Sequence, residues 1–200
     1  ALAVRGFGPQ EIVEALVALA SAGLPAQVLD EDPLGPGPLS AFRERLATEA
    51  NAVWELLVPR LRGGRAPNAR SLEKGLGLLL DRFRGSEDGP DLDTLKIWVD
   101  EALPEKLEAH LHKWEKGQLG TTEASLFGEI RAELGTHSGE LGRLAAHLRR
   151  IDPALLTAGR LALAPLLRRV ETELRARGIA TGDALRTGAE ALLARPPDGR

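Results

Sequence analysis

The stretch DPALLTAGRLALAPLLRRVETELRARG, residues 152–178, predicts one long α-helix and indicates the fold class. Asp152 suits the position that caps a helix, and Pro153 follows in the first turn, where proline is favoured. Leucine and alanine, both strong helix formers, recur throughout, and Gly178 is a natural stop. Pro165 inside the stretch predicts a bend.

The composition of the whole chain favours the same class. Of the 200 residues 43% are hydrophobic, but the aromatic residues are only three Trp and four Phe. The core must then be built mainly from Leu, Ala and Val, and the first two favour helices over strands. We predict an all-α fold, an irregular helical bundle of about eight helices with no significant sheet.

Start and stop signals place the other helices. Besides the helix at Asp152, predicted helices begin near Pro9, Ser40, Asn68, Asp91 or Asp93, Thr121 or Thr122, residue 140, and Thr181. Pro104 interrupts the helix that starts at Asp91 or Asp93, and residues 135–139 form a short connection between two helices. Gly75 and Gly77 indicate either close helix packing or a weak helix.

We treat residues 1–200 as a single helical accessory domain, with an internal boundary considered near residues 85–91. The chain does not start with Met and its last residues simply stop, as expected of a segment excised from a larger protein. The lack of Cys excludes disulfides and thiolate chemistry. No apolar run approaches the length of about 18 residues that a membrane span needs, and no signal peptide is evident. We therefore expect a cytoplasmic protein without a membrane partner.

No complete catalytic or nucleotide-binding motif is present. The patterns GxxxxGK[ST], GxGxxG, HExxH and GxSxG are all missing. Residues 28–32 resemble the acidic end of a strand in a nucleotide hydrolase, but Pro33 follows directly and no phosphate loop precedes them. We interpret them as a loop or helix cap, and we expect no catalytic residue, metal site or cofactor in this segment.

Three carboxylates and one imidazole offer a candidate metal or acid–base site. Glu101, Glu105, Glu108 and His112 recur at helical spacing, and such groups bind metals or carry acid–base chemistry. A di-iron bundle would repeat a Glu-x-x-His pattern on two helices, which does not occur here. A solvated acidic face is the preferred interpretation, and a small metallo-enzyme is a rival one. His110 and Trp114, four residues apart, are placed to stack on a helix.

The net charge of −3 conceals a strong segregation of charge along the chain. Residues 85–140 hold 5 basic and 13 acidic side chains, residues 41–84 hold 9 and 5, and residues 141–178 hold 8 and 3. Such a distribution can steer a polyanion to one side of a protein, although ordinary solvated helix faces give the same pattern.

Arginine supplies most of the positive charge, and it binds phosphate through two parallel hydrogen bonds. We predict two groups of nucleic-acid-binding residues: Arg143, Arg149, Arg150, Arg168, Arg169 and Arg175 form the first, and Arg43, Arg45, Arg62 and Arg65 the second. Few aromatic residues lie among them, so the contacts would be salt-sensitive and independent of base sequence. A G+C-rich genome would also raise the arginine content without any such role.

A family resemblance lies near the end of the chain. Arg175-Ala176-Arg177-Gly178 is followed by Ile179-Ala180-Thr181-Gly182-Asp183-Ala184-Leu185 and then by Ala191-Leu192-Leu193-Ala194-Arg195-Pro196. This resembles the end of the accessory 1B subdomain in superfamily 1 DNA helicases of the UvrD/Rep and RecB/AddA type, where a Thr-Phe-Asp-Asp-Leu-Leu-like stretch precedes a helix. Thr181, Asp183 and Leu185 match that stretch, whereas Gly182 replaces the aromatic residue and Ala184 the second acid. The match covers about residues 165–196.

The resemblance implies a non-catalytic accessory domain of an ATP-dependent DNA helicase or helicase–nuclease, in a DNA-repair setting. In that family 1B is inserted between the phosphate loop and the Walker B strand, and it contacts DNA and, in RecB/AddA types, a partner subunit. ATP and Mg²⁺ would belong to the parent motor and not to this segment. The alternative is a helical protein-interaction or regulatory module with residues 85–140 as its partner surface. Arginines scattered among carboxylates would favour that alternative.

Overall fold

The computed structural model describes residues 8–61, 66–86 and 89–179. Its α-helices are α1 (Pro9–Ser21), α2 (Pro36–Leu57), α3 (Pro67–Arg84), α4 (Leu92–Ala102), α5 (Glu105–Glu115), α6 (Thr121–Phe127), α7 (Arg131–Arg150) and α8 (Pro153–Ala176). Short 3₁₀ helices cover Ala26–Leu29 and Gly128–Ile130, and the described ranges contain no strand. The predicted all-α class is confirmed, with seven helices of 11 residues or more and one, α6, of 7 residues. The helix predicted from Thr181 lies outside the described residues.

The helices fall into two compact units. The terminal unit consists of residues 1–32 and 152–200 and contains α1 and α8; the central unit consists of residues 33–151 and contains α2 to α7. Residues 85–91 fall inside the central unit. Within the described ranges, no helix combines the length and the apolar character that a membrane span requires.

Proline marks the start of helices more sharply than the predicted caps. α2 begins at Pro36 and not at Ser40, and α3 begins at Pro67 and not at Asn68, so both predicted starts were wrong by a few residues or less. The first N–H groups of a helix have no partner within it, so a proline there removes no hydrogen bond. Pro36, Gly37 and Pro38 therefore belong to the helix, whereas Pro33 and Gly35 precede it.

Several other start and stop signals are confirmed, at Asp91, Pro104, Asp152 and Gly178. Asp91 accepts a hydrogen bond from the Thr94 N–H at 2.8 Å, and Asp152 accepts one from the Leu155 N–H at 2.9 Å. Pro104 separates α4 from α5. α8 continues through Pro165 and is terminated by Gly178, whose φ of 71° places it in the left-handed region that favours glycine.

The core of the central unit is built almost entirely from leucine, alanine and valine. It contains Leu46, Val53, Leu57, Leu72, Leu76, Leu79, Leu95, Val99, Leu103, Leu111, Leu134, Leu141 and Leu148, all fully buried. Trp114 and Phe127 are its largest side chains, and their rings lie 5.7 Å apart. α7 packs against both α2 and α5, so it is the helix around which this core is arranged.

The connection predicted at residues 135–139 was wrong, because α7 runs unbroken through both of its glycines. A Cβ on Gly135 would lie 3.0 Å from the Trp114 carbonyl oxygen, and one on Gly139 would lie 2.7 Å from the Glu115 side chain. These glycines therefore allow α5 to approach α7 closely. The helix tolerates them because that packing offsets their unfavourable propensity.

Gly75 has the same role where α3 crosses α4. A Cβ at this position would come within 3.0 Å of the Ala102 carbonyl oxygen, whereas one on Gly77 would lie 3.5 Å from the Trp54 Nε1 atom, an ordinary contact. Of the two interpretations that the sequence left open, close packing applies to Gly75.

In the terminal unit α1 and the first 3₁₀ helix pack against α8. The buried Glu171 carboxylate accepts a hydrogen bond of 2.7 Å from the Ala26 N–H, which caps the 3₁₀ helix. Arg160 donates to the carbonyl oxygens of Leu29 at 2.9 Å and Asp30 at 2.8 Å. Hydrogen bonds from α8 side chains thus add to the burial of Ala26 in holding this segment.

We predict opposite effects for alanine at the two glycines of α3. Gly75→Ala should lower the free energy of unfolding by about 1–3 kcal/mol, because the added methyl group meets a carbonyl of α4 that belongs to a packed helix. Gly77→Ala should leave it unchanged or raise it by up to about 1 kcal/mol through helix propensity. Urea unfolding followed by circular dichroism measures both, and equal effects would contradict the close crossing.

Candidate nucleic-acid interface

The charged segments of the central unit, separated along the chain, meet in the folded structure. Four arginines of α2, α3 and α7 pair with acids of residues 85–140: Arg45 with Glu140, Arg82 with Glu101, Arg143 with Glu115 and Glu140, and Arg149 with Asp100 and Glu108. Several of the arginines that suggested a DNA-binding surface therefore form ion pairs within the unit. In the described part of the central unit, the predicted contact residues lie among carboxylates and not on one continuous basic face.

A chain of ion pairs joins α2, α7 and α5. Arg45 and Arg143 share Glu140, Arg143 also contacts Glu115, and Glu115 accepts from His112 at 2.9 Å. The hydrogen bond from Arg143 is the main cause that holds the pKa of Glu140 below its ordinary value of 4.5. The same contact raises the pKa of Arg143.

Arg149 holds the corner between α4 and α5. Its Nε donates to the Asp100 carboxylate at 2.6 Å, its Nη2 donates to the Leu103 carbonyl oxygen, and its Nη1 pairs with Glu108. The three acceptors lie on both sides of Pro104, where the backbone of two helices ends and begins. The arginine side chain is only 20% exposed, so its first role is structural.

A groove of about 520 Å³ lies along α5 and α7. Its floor includes the small residues Ala109, Gly139, Gly142 and Ala146, and it brings together Arg143, Arg149 and Arg150 of the first predicted group. The ion pairs Arg143–Glu115 and Arg149–Glu108 join its two sides. Among the described residues, Arg150 alone of these three arginines has no hydrogen-bond or ion-pair partner.

In the terminal unit the acidic end of residues 28–32 finds its partners on α8. Arg168 pairs with Asp30, and Arg160 pairs with Asp32 at 3.1 Å. No strand forms there: Val28 and Leu29 end the first 3₁₀ helix, and residues 30–32 form the turn and loop that follow it. Arg175 lies 3.8 Å from Glu171. Arg169 is exposed and has no partner within the described ranges.

The second predicted group is only partly described. Arg43 donates to the Pro90 carbonyl oxygen and to Ser40 Oγ, each at 3.3 Å, and thereby ties α2 to the loop before α4. Arg45 belongs to the chain of ion pairs described above. Arg62 and Arg65 lie outside the described residues.

The proposed stripe of metal-ligating residues is not formed. Pro104 places Glu101 on α4, where it pairs with Arg82, while Glu108 and His112 on α5 pair with Arg149 and Glu115. In the part of the chain that the structure describes, no group of three or more His, Asp or Glu side chains is arranged to hold a metal ion. Glu101 and Glu108 are instead engaged in ion pairs within the unit.

The sequence did not predict a buried polar cluster around Glu123. Glu123 on α6 accepts from His110 at 2.6 Å, from Trp114 Nε1 at 3.1 Å and from the Gly120 N–H at 3.2 Å. His110 and Trp114 are in contact as predicted, but edge to face and not stacked, with ring centroids 4.9 Å apart and ring planes at 62°. The spacing of thirteen residues between His110 and Glu123 crosses a turn, so no helical periodicity signals the pair. The Glu at the third position after Gly120, a capping pattern, was the available signal.

Comparison of the chain with protein-family models, with curated proteins and with solved structures found no match. What the protein does is therefore inferred from its residues and their contacts.

Two neighbouring arginines of α7 should respond differently to lysine. Arg149→Lys should lower the free energy of unfolding by about 1–3 kcal/mol, because a compact ammonium group cannot span the three acceptors around Pro104 that the planar guanidinium group reaches. Arg150→Lys, the matched control, should change it by less than about 0.5 kcal/mol. Urea unfolding at pH 7 measures both, and a stable Arg149 variant would show that the corner does not depend on this side chain.

The Glu140 carboxylate should contribute stability only while it is ionised. Since its pKa is lower in the folded state, that contribution is present above its ordinary value of 4.5 and is lost as the pH falls through the folded value. Glu140→Gln should therefore be less stable than the parent by about 1 kcal/mol or less at pH 7, and the difference should disappear at strongly acidic pH. Glu133→Gln on an exposed position of the same helix is the control. A difference that is constant between pH 7 and pH 3 would contradict this assignment.

Proposed function

We propose that this chain is a non-catalytic helical accessory domain of an ATP-dependent DNA helicase or helicase–nuclease, where it guides DNA and braces the motor. The observation that carries the proposal is the order of features near the chain's end. The long charged helix α8 ends at Ala176, and Gly178 follows in the left-handed conformation. Then comes the stretch with Thr181, Asp183 and Leu185 that resembles the end of subdomain 1B. That stretch lies outside the described residues, so its support for the proposal comes from the sequence resemblance alone.

The chemistry of the described residues also supports a non-catalytic role. Several acids and histidines of the central unit, among them Asp91, Glu123, His112 and His137, are engaged in a helix cap, ion pairs and the buried Glu123 cluster, where they stabilise the fold. A domain of this kind would leave ATP and Mg²⁺ to the motor of its parent protein. Its own contribution would be a rigid helical surface against which DNA or a partner subunit lies.

The free arginines narrow the proposed contact map. Arg150 on α7 and Arg169 on α8 are exposed and have no partner in the described ranges, so they can bind phosphate without breaking an ion pair. Arg143, Arg149 and Arg168 would first have to leave their carboxylates. We therefore expect Arg150 and Arg169 to contribute most among the predicted arginines.

The second candidate is a helical protein-interaction or regulatory module without a nucleic-acid role. The observation that favours it is the interleaving of arginines and carboxylates in the central unit, which leaves no continuous arginine face. A surface of mixed charge is electrostatically more complementary to a protein partner than to DNA, whose backbone is uniformly negative. DNA binding by the chain separates the two candidates.

Fluorescence anisotropy with forked and single-stranded DNA at about 50 and 200 mM salt tests the proposal. We expect binding that weakens steeply with salt, and Arg150→Glu/Arg169→Glu should reduce the slope of log affinity against log salt by about 2. Lys74→Glu/Arg84→Glu on α3 makes the same change in net charge and should have a much smaller effect. Absence of DNA binding by the unsubstituted chain at low salt would contradict the DNA-guiding role and favour the second candidate.

A further inference from the structure

The two sides of the groove along α5 and α7 carry opposite charge. The acids that line it all belong to α5, and the arginines that line it all belong to α7. The two ion pairs described above engage two acids and two arginines across the groove. Glu105 and Arg150 remain: both are exposed, and neither has a hydrogen bond or ion pair with another described residue. The groove thus keeps one unpaired charge of each sign, on opposite sides.

Both unpaired charges lie at the same end of the groove, because α5 and α7 run antiparallel. The end of α5 lies beside Gly139, in the first half of α7, whereas Glu108 in the first turn of α5 pairs with Arg149 near the end of α7. Glu105 lies about one turn before Glu108, and Arg150 directly follows Arg149. The two charges are therefore at the same level along the helices.

The floor of the groove consists of small side chains, Ala109, Gly142 and Ala146. A Cβ on Gly142 would lie 3.8 Å from the Leu111 Cβ atom, an ordinary contact, so packing within the chain does not require glycine there, although glycine is unfavourable inside a helix. Ser138 also lines the groove; it is fully buried, and its Oγ atom has no hydrogen-bond partner among the described residues. The floor suits the close approach of another helix.

Two copies of this groove are complementary about a two-fold axis that runs along it. Such an axis lies between the copies and places α5 of each copy over α7 of the other, at the same level along the helices. The acidic side of the groove then meets the basic side twice. Glu105 of each copy lies opposite Arg150 of the other, so both unpaired charges gain a partner. An axis across the groove would instead place α5 over α5, with acids facing acids.

We propose that the groove along α5 and α7 is the interface of a homodimer, with Glu105 of each copy paired with Arg150 of the other. This inference goes beyond the proposed function, because it concerns the association of two copies of the chain without DNA. The charges select the partner and its orientation, and the small floor lets the helices approach. Since Arg150 is also an expected phosphate contact, DNA and the second copy would compete for it.

Sedimentation velocity of the full chain, at concentrations from about 1 to about 100 µM, measures the association. We expect a dimer whose fraction rises with concentration. Glu105→Arg and Arg150→Glu should each weaken dimerisation at least about tenfold, because each variant places like charges together twice. Glu105→Arg/Arg150→Glu exchanges the two charges and should restore the dissociation constant to within about threefold of that of the unsubstituted chain.

Three further variants serve as controls. Glu44→Arg on α2 and Lys74→Glu on α3 make the same changes in net charge at exposed positions outside the groove, and should leave the dimer unchanged. Gly142→Leu fills the floor and should weaken dimerisation about tenfold without lowering the thermal unfolding temperature, because leucine is the better helix former.

A monomer over the whole concentration range would overturn the dimer and leave the proposed function as it stands. A dimer that is unchanged in both single charge variants would use another face, and would overturn this interface. If the double variant is as weak as the single ones, the two side chains do not meet and the pairing is overturned. Anisotropy with DNA, which tests the proposed function, is a separate measurement, so the failure of one does not imply the failure of the other.

Discussion

The close approach of α5 to α7 is the constraint on which the rest of the central unit depends. Gly135 and Gly139 allow the backbone of α7 to lie against Trp114 and Glu115. That approach buries Trp114, brings Glu115 within reach of Arg143 and forms the groove between the two helices. Since α2 also packs on α7, the ion pairs that join the three helices follow from one helix contact.

Much of the fold could be predicted because the signals that start and stop helices are local. Asp91, Asp152, Pro104 and Gly178 act through backbone groups one to four residues away, so the sequence alone is sufficient to interpret them. A glycine inside a helix is different, since the same residue terminates one helix and allows close packing of another. Gly135 and Gly139 were misassigned because the deciding atoms belong to α5, which the local sequence does not specify.

The candidate site was harder to predict for the same reason. The partner of Arg45 is 95 residues away, that of Arg149 is 49 residues away, and that of Arg168 is 138 residues away. An arginine that stabilises a helix corner and an arginine that is free to bind phosphate look identical in the sequence. Charge counts along the chain also misled, because the acidic segment supplies ion-pair partners to the basic ones. The sequence alone identified candidate arginines, but it could not show which of them are free to bind phosphate.

The arrangement on α7 also restricts how this helix can change in evolution. Gly139 must face α5, and Arg149, ten residues later, must reach the acceptors around Pro104. A single inserted or deleted residue between them would rotate one position relative to the other by about 100°. It would place a side chain against Glu115 or turn Arg149 away from its acceptors. The length of this part of α7 is thus fixed by both contacts together, and variation in length is confined to the loops at its two ends.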